Sequence, residues 1–167
     1  LSEKEVLNQF NFTLNFLDKK GYDHYEISNF GKKNFYSKNN ESYWLGESYI
    51  GIGPSAHSFD GEYRSWNISN NIKYINSIKL NKLPASREKL TKNDKFNEYI
   101  MIGLRTIWGV SSKKILKEFG KEYLSLIELK SKNHIRSSNL FWDEDILRIP
   151  KKGKFLTDGI ASDLFII

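Results

Sequence analysis

The chain has 167 residues, 39% of them hydrophobic and 28% charged, a composition typical of globular proteins that excludes a fibre or a disordered segment. Lys and Arg number 26 against 20 Asp and Glu, for a formal charge of +6, which is basic without being extreme. Cysteine is absent, so disulfides, thiolate zinc, a cysteine nucleophile and any iron–sulfur cluster ligated by this chain alone are excluded.

Ser2 is a cap candidate for a helix in which Val6, Leu7, Phe10, Leu14 and Leu17 recur at helical spacing, with Gly21 as the stop. Tyr22 to Ile27 predicts a short strand, followed by a polar loop through Asn40. Tyr49-Ile50-Gly51-Ile52-Gly53 predicts a second apolar strand ending in a glycine-rich turn, and His57–Phe59 and Tyr63–Ile68 are set to pair across Asp60-Gly61. Ile72, Tyr74, Ile75 and Ile78 suggest a helix. Pro84 then removes a backbone donor and disfavours helix at the residue before it, which places a linker at 81–90. Residues 1–80 bury little surface alone, and strands so spaced want parallel neighbours, as in the tail of a larger α/β domain.

Residues 91–167 read as self-sufficient. Thr91 and Asp94 resemble a capping box ahead of the stripe Phe96, Tyr99, Ile100, Gly103, Leu104 and Ile107. Ser111 or Ser112 caps a second helix that Gly120 ends, and a third begins at Lys121. Leu140–Trp142 and Ile146–Ile149 flank an acidic turn, Asp143-Glu144-Asp145, and Lys151–Leu164 predicts a final helix. The order is that of a winged helix. Charge follows the division: residues 1–68 carry seven Lys/Arg and nine Asp/Glu, and residues 69–167 nineteen and eleven.

No run of residues reaches the ~18 apolar positions of a membrane span, and the opening Leu1–Glu5 lacks signal-peptide character, so the expected location is the cytoplasm. Gly51-Ile52-Gly53-Pro54-Ser55-Ala56 fits the dinucleotide pattern G-x-G-x-x-G/A literally. A hairpin follows where that pattern requires a helix, and no acidic residue lies between Tyr63 and Arg87 to hold a ribose. What remains is close approach: a strand end with two positions lacking side chains admits a ligand or another backbone. His57 stands next to that turn as a ligand-contact or proton-handling candidate, against an equal reading as a locally hydrogen-bonded histidine. His24, His57 and His134 are 33 and 77 residues apart and match no local metal spacing. His24 and His134 read as structural.

Three runs, Gly21 to Phe30 containing YEISNF, Asn40-Glu41-Ser42-Tyr43-Trp44, and Tyr49 to Ser58 containing GIGPSAHS, form a series that resembles the oxygen-independent coproporphyrinogen III oxidase-like family of radical SAM proteins, particularly its haem-chaperone (HemW-like) branch. Tyr99 to Thr106 and Gly153 to Leu164 are similar to that family's C-terminal domain. The resemblance implies an α/β chain. Residues 1–80 would be the last βα units of a partial TIM-like radical SAM barrel and 91–167 a small α+β winged-helix-like C-terminal domain. It also implies S-adenosylmethionine and a [4Fe–4S] cluster as family cofactors, with the cluster cysteines in an N-terminal barrel half that is a candidate partner. Gly51, Gly53, Ala56 and His57 would lie near S-adenosylmethionine. Asn39, Asn40 and Tyr43 would stand at the positions of a haem-linked HNxxY motif, with Asn39 in place of its histidine; an amide is a poor iron ligand beside imidazole.

The expected function is therefore that of the C-terminal part of a tetrapyrrole-handling protein, by oxidative decarboxylation of coproporphyrinogen III or by haem carriage. With no cluster cysteines, no catalytic residue or metal ligand is assigned, and catalysis by the chain alone is not expected. One alternative is a nucleic-acid-binding winged helix, which the acidic wing tip opposes; another is a non-catalytic interaction piece.

Overall fold

In the computed structural model, which describes all 167 residues, the chain opens on a capping box. The Ser2 hydroxyl accepts from the Glu5 N–H at 3.3 Å while the Glu5 carboxylate accepts from the Ser2 N–H at 2.7 Å. Helix α1 (Glu3–Lys19) follows, and Gly21, at φ +76°, ends it in the left-handed region. Strands β1 (Asp23–Glu26) and β2 (Asn29–Gly31) make an antiparallel hairpin.

This leading segment, residues 1–37, belongs to one compact unit with residues 92–167, and residues 38–91 form the other. One boundary between the units, at 91/92, lies at the end of the stretch 81–90, and the other lies at 37/38. Long-range backbone bonds decide it: the Ile27 N–H donates to Arg105 O and the Ile107 N–H to Tyr25 O, each at 3.0 Å. Periodicity within residues 1–37 carries no trace of such partners.

In the first unit, α4 (Lys92–Arg105), α5 (Ser112–Glu118) and α6 (Lys121–Arg136) surround a core of Phe96, Ile100, Leu104, Ile115, Ile127 and Leu164. The Phe96 ring meets Phe119 and Tyr123 edge-on at 5.2 and 5.0 Å. Strands β6 (Val110–Ser111), β7 (Phe141–Asp143) and β8 (Ile146–Arg148) form an antiparallel sheet in the order β6-β8-β7. The helix–strand–helix–helix–hairpin order matches the expected winged helix with one addition, the two-residue β6, too short to show a period. Gly120, at φ +93°, follows α5 and is the cap of α6. The expected final helix is two: a 3-10 helix (Lys151–Leu156), then α7 (Thr157–Asp163).

In the second unit, α2 (Lys38–Leu45), β3 (His57–Phe59), β4 (Tyr63–Asn67), α3 (Asn71–Lys79) and β5 (Ala85–Lys89) appear in turn, with an antiparallel sheet β3-β4-β5. The hairpin across Asp60-Gly61 forms as expected, with Gly61 at φ +94°. The Asp60 carboxylate is held below its ordinary range by the N–H groups of Tyr63 and Glu62, with Arg87 beside it. Two expectations change here. The supposed linker contains β5, an exposed strand whose five residues all pair with β4. The supposed strand 49–53 is a loop in which only Tyr49 bridges, to Phe59, while Ile50 and Ile52 are 86% and 88% exposed. Every strand pair is antiparallel, where the spacing had suggested parallel neighbours.

Candidate functional site

The glycine-rich loop is built around one amide. Asn67, at the end of β4 and 5% exposed, donates from its Nδ2 to Gly53 O at 2.9 Å and to Gly51 O at 3.3 Å, so both of its N–H donors are engaged. Its own N–H donates to Ala56 O at 2.9 Å, and the Ser55 N–H donates to Ile68 O at 3.2 Å. From the loop side, the Gly51 N–H donates to Ser58 Oγ at 2.9 Å and the Gly53 N–H to the Tyr74 hydroxyl at 3.3 Å.

The two glycines serve different purposes. A Cβ on Gly51 would fall onto the His57 carbonyl oxygen and within 2.7 and 2.8 Å of that residue's C and N atoms. At this position, then, the approaching group is the chain's own backbone. Gly53 has open space where a Cβ would sit, but its φ of +103° is one that L residues rarely adopt. Ala56 closes the turn, its N–H donating to Gly53 O at 3.3 Å.

His57 begins β3 opposite Trp66, their rings 6.4 Å apart, with its side chain exposed. Ser55, His57, Trp66, Asn67, Ser69 and Ser86 border an open cleft of about 550 Å³, within the size range of small-molecule sites. The loop's amides are largely used internally. The cleft's border brings together His57, three serines and Trp66.

Asn39, Asn40 and Tyr43 lie on α2, where positions 39 and 43 are four apart and share a helix face. Asn39 is exposed, and Tyr43 is 42% exposed with its ring edge-on to Tyr49 at 4.6 Å. The Tyr43 hydroxyl has no hydrogen-bond partner in the chain. Next to it, Trp44 Nε1 is buried without an acceptor.

The YEISNF run is explained by structure. Glu26, 1% exposed, accepts from the Ser28 N–H at 2.9 Å and from Asn29 Nδ2 at 2.5 Å, which ties off the β1–β2 turn. Its other oxygen takes Arg105 Nη2 at 2.9 Å and Nε at 3.1 Å, and the remaining Nη1 of that guanidinium reaches Asp158. Three separated motif runs thus meet in one network. The sequence reading missed Asn67, Tyr74 and the Glu26–Arg105 pair. For Asn67 the available signal was a polar residue near the end of a predicted strand, 14 positions from Gly53.

No protein-family model matches the chain. Among curated proteins, the haem chaperone HemW of Lactococcus lactis subsp. lactis (strain IL1403) is 30% identical over 168 residues, covering 95% of this chain and 44% of its own length. HemW of Bacillus subtilis (strain 168) is 27% identical over 95% of this chain and 42% of its own length. The chain is a partial-length relative of the HemW haem chaperones. It matches their C-terminal portion and spans less than half of their length, as the resemblance of the motif runs implied. Among solved structures, coproporphyrinogen III oxidase (HemN) from Escherichia coli, a radical SAM enzyme, superposes with a TM-score of 0.77 at 16% identity, covering 99% of this chain and 42% of that one. The α/β fold class expected from the sequence is therefore the fold of part of HemN. No helix is long and apolar enough to cross a membrane. The nucleic-acid alternative is not favoured: the β7–β8 turn presents Asp143, Glu144 and Asp145, where a phosphate backbone would be repelled.

Proposed function

We propose that the chain is the tetrapyrrole-handling portion of a cytosolic radical SAM protein of the coproporphyrinogen III oxidase-like, haem-chaperone kind, with the cluster chemistry supplied by cysteines outside these residues. The observation that carries the reading is similarity to HemW over 95% of the chain. In this reading residues 1–80 correspond to the end of the barrel and 91–167 to the appended domain, with 81–90, which carry β5, running between them, and residues 1–37 packing with 92–167.

The residues present do not fit a [4Fe–4S] cluster. There is no cysteine, and no group of three or more His, Cys, Asp or Glu is placed to hold a metal. S-adenosylmethionine fits in part, because the cleft beside the glycine loop offers His57 and Ser55 as hydrogen-bonding groups and Trp66 as an apolar face. Gly51 and Gly53 act at one remove, by letting Asn67 fix the loop that carries Ala56 and His57. For haem, the α2 face offers one iron ligand, the Tyr43 hydroxyl; phenolate ligation of haem iron has precedent, whereas the Asn39 amide is suited only to hydrogen bonding.

The expected result of anaerobic reconstitution with iron and sulfide, then dithionite and S-adenosylmethionine, is no 5′-deoxyadenosine by liquid chromatography. Reductive cleavage needs an electron from a cluster this chain cannot ligate. Formation of 5′-deoxyadenosine above the protein-free control overturns the division of labour proposed here.

A further inference from the structure

A second cleft lies within the unit formed by residues 1–37 and 92–167. It encloses about 480 Å³ and is bordered by Leu14, Tyr22, His24, Lys33, Lys151 and Lys154. Its chemistry is set at His24. Nε2 is 2.8 Å from Ile27 O, which can only accept, so Nε2 carries the ring proton. Nδ1 then has a lone pair and accepts from Lys154 Nζ at 2.9 Å. The same ammonium donates to His24 O at 3.2 Å. Phe30 stacks on the imidazole at 4.5 Å and Phe10 meets its edge at 6.2 Å, which fixes the ring.

Both acceptors of the Lys154 ammonium are neutral, and two of its three N–H donors are engaged. No carboxylate lies within ion-pair distance of Lys154 or Lys33, and the cleft's two acids are engaged by other residues of its wall. Asp18 pairs with Lys151 at 2.9 Å, and Asp23 accepts from the Tyr36 hydroxyl at 2.5 Å. Lys33, Lys151 and Lys154 thus outnumber Asp18 and Asp23 by one charge. Lys151 and Lys154 are three apart on the 3-10 helix, where such side chains eclipse. Burial, and then the nearby Lys151, bring the Lys154 ammonium down to about 8, and burial foremost lowers His24 as well.

We propose that this cleft binds a small organic anion, a carboxylate or phosphate monoester on a compact apolar body, with Lys154 donating its remaining N–H to the anionic oxygen. The anion supplies the missing countercharge in a charge-assisted bond, and Leu14, Ile107 and Tyr22 take the apolar part. The site shares no residue with the glycine-loop cleft or the α2 face, so it stands or falls apart from the tetrapyrrole reading.

Trace acetylation of the full chain by acetic anhydride at pH 8, read lysine by lysine by mass spectrometry, tests it. Excess benzoate or phenyl phosphate keeps the Lys154 ammonium charged, and its labelling falls roughly five-fold, while exposed Lys117 and Lys132 are unchanged. The anion that protects identifies the class, and neutral benzamide does not protect. Calorimetric binding of the protecting anion disappears in Lys154→Gln. Absence of protection by both anions, equal protection by benzamide, or undiminished binding to folded Lys154→Gln overturns the proposal.

Discussion

Replacing Gly51 by alanine unfolds the loop of residues 49–57 and costs about 3 kcal/mol or more, the upper end of what overpacking does. The new methyl has nowhere to go: its neighbours are the O, C and N atoms of His57, all backbone, and His57 is fixed by its pairing with Trp66. If β3 moves, the hydrogen bonds from Asn67 to Gly51 O and Gly53 O are lost with it. Gly53→Ala meets no atom within 4 Å and bears only the strain of its positive φ, about 1–2 kcal/mol. Hydrogen exchange gives the readout: protection of the Asn67 and Phe59 amides collapses in Gly51→Ala and is only reduced in Gly53→Ala. Equal effects in the two variants would show that conformation, and not the contact with His57, is what position 51 requires.

Glu26→Ala lowers stability by about 3 kcal/mol, because it leaves the Arg105 guanidinium, only 20% exposed, with the outer Asp158 alone and takes this acceptor from two further donors, the Ser28 N–H and Asn29 Nδ2. Asp158→Ala removes the other carboxylate on the same arginine, but Asp158 is 66% exposed, and its loss costs no more than about 1 kcal/mol. Urea unfolding midpoints compare the two. Similar losses would place the weight of the network on the exposed arm and contradict the burial argument.

Local chemistry was legible from the residues alone. Ser2 with Glu5 announces the cap of α1, Asp60-Gly61 announces the β3–β4 turn, and Ser111 caps α5 as expected, its Oγ accepting from the Lys114 N–H at 3.3 Å. What escaped was long-range or lacked a period. Strand β5 is exposed along its whole length, and Arg87-Glu88-Lys89 gives it no apolar face, so it reads as a linker until its partner β4 is known. Ile50 and Ile52 mislead in the opposite sense, as apolar residues that the loop leaves outside. Of the candidate site, the glycines were legible, because side-chain-free positions signal close approach. Whether a ligand or the backbone approaches was not, and at Gly51 the answer is the carbonyl of His57. Asn67 and the Lys154–His24 pair depend on contacts between residues 14 or more positions apart.

Haem carriage by this chain is tested by a haem titration of the full chain followed by absorption spectroscopy, with Tyr43→Phe and Asn39→His alongside. The wild type is expected to bind saturably with the spectrum of a phenolate-ligated ferric haem, Tyr43→Phe to lose that spectrum, and Asn39→His to shift toward a histidine-ligated spectrum, since positions 39 and 43 share one face of α2. Haem binding that is absent in the wild type, or identical in all three proteins, contradicts it.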